Sequence, residues 1–129
     1  MKFEIKNISG SNKKIKIYDG FEDDFYESQH MIMCPICNEN IDINVLKLTD
    51  FHELDVNLRI AIRERIKNIN TLELSTMTTY SYEHLSVMYS VHTCIEQQNE
   101  LISIFAIGEW QPARYQIILL GMFKITKFN

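Results

Sequence analysis

Glycine and proline are scarce in this chain of 129 residues, at four and two. So few conformationally special positions leave little from which to build an active site on mobile loops. No phosphate-binding glycine loop, Gly-x-Ser-x-Gly or His-Glu-x-x-His occurs, and no His-x-Glu is coupled to Pro-Cys-x-x-Cys. His52-Glu53 and Glu83-His84 are isolated pairs. Cys94 and His92, as i, i+2 neighbours on a strand, are a poor template for a thiolate–imidazolium pair oriented by a third group. The expectation is a protein that is not an enzyme. Long apolar runs are also missing. The nearest, 101–122, is broken by Glu109, Pro112 and Arg114, which excludes a membrane-spanning helix. The opening Met1-Lys2-Phe3-Glu4-Ile5-Lys6 alternates charged and apolar residues and has no leader-like apolar core, so a cytoplasmic location is expected. With only three cysteines, an odd count, a disulfide framework is not expected. A net charge of -4 argues against a surface that binds nucleic acid throughout. The length fits one domain, 1–129, with a core of its own.

The cysteines that are present carry the strongest signal. Cys34-Pro35-Ile36-Cys37 places two thiols three residues apart, the spacing that holds two corners of a zinc tetrahedron. The third, Cys94, lies in His92-Thr93-Cys94. On a strand, side chains alternate, so His92 and Cys94 face the same way. Cys34, Cys37, Cys94 and His92 then make a closed Cys₃His set, the composition of a structural zinc site. His30 is the competing fourth ligand. The alternative is that the cysteines are small buried hydrophobes.

Residues around Cys34–Cys37 and 94–97, about a fifth of the chain, resemble a zinc ribbon. That resemblance implies two knuckles on adjacent hairpins clamping one zinc. The chain departs from the pattern in two places. The second knuckle reads Cys94-Ile95-Glu96-Gln97, and 54 residues separate Cys37 from His92.

Hydrophobic periodicity predicts an α+β fold with an antiparallel sheet. Residues 2–8 and 13–18 alternate and flank Ser9-Gly10-Ser11-Asn12, which reads as a hairpin. One or two helical turns are expected over 21–29, and short strands at 31–33 and 41–45. The main helix is expected over 51–69, capped by Asp50 with Glu53. Its apolar face is Leu54, Leu58, Ile62, Ile66 and Ile69. The polar stretch 70–83 shows no element. Three strands at 85–95, 101–110 and 115–125 form a meander.

Charge is segregated. Residues 1–18 carry five lysines against one glutamate. Residues 19–44 carry Asp19, Glu22, Asp23, Asp24, Glu27, Glu39 and Asp42 with no lysine or arginine. Phe21, Phe25 and Tyr26 are interleaved with these acids. Carboxylates with aromatics suit a basic protein partner, although the same run also reads as a solubilising helix. Trp110 and Arg114 bracket one turn and are residue types that anchor interfaces. The first expectation is a partner-binding module of microbial or phage type, such as an immunity or inhibitor protein against a basic toxin or nuclease. The alternative is a nucleic-acid accessory protein using Lys2, Lys6, Lys13, Lys14 and Lys16 with the Arg59/Arg63/Lys67 stripe.

Overall fold

The computed structural model describes residues 2–7, 14–94 and 99–128. The chain forms β1 (Lys2–Asn7), β2 (Ile15–Gly20), α1 (Glu22–Glu27), β3 (His30–Met33), β4 (Asn40–Ile43), β5 (Thr49–Asp50) and α2 (Val56–Arg65). Then follow β6 (Asn70–Glu73), β7 (Thr78–Tyr82), β8 (Leu85–Cys94), β9 (Asn99–Gln111) and β10 (Arg114–Phe128). Eight strands make a mainly antiparallel sheet, and β3 and β4 pair as a separate hairpin. The fold is α+β, and β8, β9 and β10 form the meander expected from the sequence.

β9 and β10 are buried on both faces, which is why 101–107 and 117–123 read as nearly continuous apolar runs. Ile102, Ile104 and Ala106 face α2 and pack with Leu58, Ile62, Ile66, Ile69 and Phe51. Phe105 faces the other way and packs with Ile117, Leu119, Met122, Phe25, Ile32 and Ile43. The pairing register slips between Leu119 and Gly121, so Leu120 is an extra residue. Such a bulge reverses the alternation. Ile118 and Leu120 face α2 before it, and Phe123 and Ile125 face α2 after it. Gly121 sits at the slip, where a Cβ would meet the Phe123 ring at 3.1 Å.

Among the described residues, β1 and β2 do not pair with each other as the expected N-terminal hairpin requires. β1 pairs with 123–128 of β10 and β2 with 115–119, so they lie in succession along one edge of the same long strand. Alternation identified both as strands, but it carries no information about the partner. The turn expected at 9–12 lies outside the described residues.

The main helix is shorter than its periodicity suggests. Asp50 caps a single 3₁₀ turn, Phe51–Glu53, through the His52 N–H. Asp55 caps α2 by accepting from the N–H groups of Asn57 and Leu58. Leu54, Leu58, Ile62, Ile66 and Ile69 are all buried as expected, although only Leu58 and Ile62 lie within α2.

The polar stretch hides β6 and β7. Their joining turn to β8 uses Glu83 and His84, both at positive φ (49° and 69°). That is the two-residue hairpin geometry for which Asn-Gly is the usual signal, and the sequence offers none.

Ile62 fixes the prediction for this packing. Ile62→Ala, fully buried under the sheet, is expected to cost about 2–5 kcal/mol in urea unfolding. Ile60→Ala, 55% exposed on the same helix, should change stability by less than about 0.5 kcal/mol.

Candidate metal centre and acidic surface

β3 alternates buried and exposed residues, with His30 and Ile32 inward, and the same alternation turns Cys34 into the interior. The turn that follows is closed at its base by Cys34 N–H to the Glu39 carbonyl and Asn38 N–H to the Cys34 carbonyl, both 2.8 Å. Asn38 takes a positive φ of 61°, which brings the chain back into β4. The N–H groups of Cys37 and Ile36 are directed at the Cys34 sulfur, and that of Glu39 at the Cys37 sulfur. This is the knuckle arrangement inferred from the Cys-Pro-Ile-Cys spacing.

Cys94 arrives from the opposite direction, as the last residue of β8, and is buried. The sulfurs of Cys34, Cys37 and Cys94 lie within 4.8 Å of one another, and the cluster could hold a metal. A tetrahedral zinc with bonds near 2.3 Å needs thiolates about 3.8 Å apart, within that span. All three are free thiols. Cys37, hydrogen-bonded to the Cys94 sulfur, is pushed up to about 12. Burial opposes ionisation of Cys34, but the N–H groups of Cys37 and Ile36, with the neighbouring thiols, hold it below the usual thiol range. Without a cation the cluster therefore holds its protons unequally, and a bound cation would displace them.

His92 and Cys94 lie on one face of β8, as expected, and line the same cavity of about 170 Å³ with Cys34, Cys37, Glu39 and Asn40. The three sulfurs converge, whereas His92 is outside that tight group. Both of its ring nitrogens are buried without a hydrogen-bond partner among the described residues. Burial lowers its pKa.

His30, the competing ligand, is placed elsewhere. Its Nε2 is 3.0 Å from the Phe25 carbonyl and its ring meets Tyr18 edge-on at 5.1 Å. Four residues of extended chain also put it about 13 Å from Cys34. Of the pattern expected from the sequence, one turn supplies Cys34 and Cys37 to the cluster. The other strand supplies Cys94, and residues 95–97 lie outside the described residues.

The two candidate interaction segments converge. Asp19 accepts from Arg114 at 2.9 Å, from Trp110 Nε1 at 3.4 Å and from Gln116 at 3.5 Å. The Arg114 guanidinium lies 5.9 Å from the centre of the Phe21 ring. Asp19 and Arg114 are thus occupied with each other. Phe25, expected among the partner-facing aromatics, is 2% exposed and belongs to the core. Phe21, Tyr26 and Trp110 remain exposed. Glu22, Asp23, Asp24 and Glu27 lie on the exposed part of α1, and Glu22 and Glu109 both act electrostatically on Tyr115.

Two of the three residues of the basic stripe are engaged within the protein. Arg59 donates to the His52 carbonyl and Arg63 to that of Ile69, with both guanidinium groups near the Tyr80 ring. Lys14 bonds Tyr82 and Lys16 pairs with Asp19. Lys13 lies outside the described residues.

Sequence reasoning missed the pairing of Ser90 with Ser103 beside His92. Ser90, His92 and Cys94 stand at alternate positions, but their depth depends on what covers the sheet. Compared with family models, curated proteins and solved structures, the chain has no match.

Asp19 generates a pH prediction. Its hydrogen bond to Arg114 holds the carboxyl below its ordinary range. A lowered folded-state pKa contributes stability above the unfolded value, and that contribution disappears as pH falls through the folded value. In Arg114→Ala, the Asp19 carboxyl titration followed by NMR should move upward toward an ordinary aspartate. An unchanged midpoint would refute the assignment.

Proposed function

We propose that the chain is a small protein-binding module, held together by a structural zinc at Cys34, Cys37, Cys94 and His92. Its binding face is the acidic and aromatic surface of α1 and the β9–β10 turn. The convergence of three sulfurs from two separate sheets is the observation that carries the metal reading. Three thiolates and an imidazole suit zinc, and four protein ligands leave no open position for catalysis. The ion would tie the β3–β4 hairpin to the end of β8. Because the ligands are 57 residues apart in sequence (Cys37 to Cys94), its binding free energy acts as folding free energy.

Protein purified without chelator should contain one zinc per chain by elemental analysis. Cys94→Ser should lose it, with a fall in Tm on the order of 10 °C. Protein without stoichiometric metal and with a Tm insensitive to Cys94→Ser would refute the clamp.

The partner reading is carried by Phe21, Tyr26 and Trp110, exposed at 65%, 42% and 40%, beside the carboxylates of α1. Aromatics supply buried area on binding, and the surrounding negative charge steers a basic partner. An immunity or inhibitor protein acting on a basic toxin or nuclease has this character. The nucleic-acid alternative has less support, because Arg59 and Arg63 already donate to backbone carbonyls.

The test is affinity capture from the native host, followed by titration of the recovered partner. Asp23→Lys/Asp24→Lys/Glu27→Lys should fold normally and bind a basic partner at least about 10-fold more weakly. Equal binding by both proteins would remove this face from consideration.

A further inference from the structure

Three side chains, one buried and two half-buried, carry buried polar atoms without hydrogen-bond partners among the described residues, and they lie together on one face of the sheet. They are Ser90, Ser103 and His92. Ser103 is completely buried, between Leu101 of the cysteine cluster and Phe105 of the second core. Ser90 is its direct cross-strand neighbour. On β8, side chains two residues apart share a face at a spacing of about 6.5–7 Å. His92 therefore stands midway between Cys94 on one side and Ser90 on the other. An imidazole carries two nitrogens, so one can ligate while the other donates an N–H.

Buried hydroxyls and ring nitrogens normally have partners, and a cluster of orphans signals something that completes it. A metal beside Cys94 would do so. A histidine that ligates through one nitrogen characteristically donates the other N–H to an acceptor, which fixes its tautomer and orientation. We propose that, with metal bound, His92 closes the site with one ring nitrogen and donates its other N–H to the Ser90 hydroxyl, whose O–H in turn donates a hydrogen bond to Ser103 Oγ. The serines are positioning residues and do not touch the metal. This inference rests on the metal reading above, and extends it to the groups that aim its fourth ligand.

The serine pair separates this role from ordinary packing. Ser→Ala here removes a hydroxyl whose oxygen is buried without a partner among the described residues. The metal-free Tm should therefore hold or rise in Ser90→Ala and Ser103→Ala. Metal affinity should move the opposite way, falling roughly 10- to 100-fold. The probes are Co²⁺, whose visible absorption reports tetrahedral coordination, and Zn²⁺ in competition with a chromogenic chelator. His92→Cys should retain a tetrahedral Co²⁺ spectrum with stronger thiolate charge transfer, whereas His92→Ala should lose the fourth ligand.

Wild-type affinity and spectra in both serine variants would overturn the proposal while leaving a three-cysteine site intact. So would a fall in the metal-free Tm parallel to the loss of affinity, because that is the mark of packing. Failure of the wild-type protein itself to bind Co²⁺ or Zn²⁺ would refute the metal reading, and this inference with it.

Discussion

The architecture depends on β9 and β10 being covered on both faces. A strand pair with two apolar faces is unstable in water until each face is covered, and the rest of the chain is arranged to do that. α2 covers the face carrying Ile102, Ile104 and Ala106, and α1 with the β3–β4 hairpin covers the face carrying Phe105, Ile117 and Leu119. The slip at Leu120 allows one 15-residue strand to keep both coverings in register along its length.

The second covering is the weaker one in backbone terms. Among the described residues, the strand ladder of β3 and β4 pairs them only with each other, so side-chain contacts and the cysteine cluster hold them to the main sheet. A cross-link between the Cys34–Cys37 turn and Cys94 is most effective there, because it joins two bodies that no ladder connects. His92, whose ring nitrogens have no hydrogen-bond partner among the described residues, lines a cavity at the same junction. The metal reading and the partner reading concern opposite ends of this layer. One fastens the hairpin to β8, and the other uses α1 and the β9–β10 turn.

Strand identity was well expressed in the sequence, and strand partnership was not. The Leu85–Cys94 run and its two successors were legible from β-branched and aromatic residues separated by short polar breaks. β6 and β7 were not, because every residue of β6 is exposed and the turn to β8 places ordinary residues at positive φ. The apolar spacing of Leu54 to Ile69 correctly identified a buried face but overstated the helix. A 3₁₀ turn and an extended exit can continue a helical burial pattern without helical hydrogen bonds. In the acidic segment the aromatics were legible, but their direction was not. Phe25 turned inward, while Phe21 and Tyr26 stayed out.

The amino-acid pattern alone set the turn at Cys34–Cys37, because that turn is local and its N–H groups reach the sulfurs within five residues. It also determined that His92 and Cys94 share a face, which follows from the period of a strand. It took the folded chain to bring Cys94 to that turn, His30 to Phe25 and Arg114 to Asp19. These contacts join residues whose separation in the chain says nothing about distance until both faces of the sheet are covered.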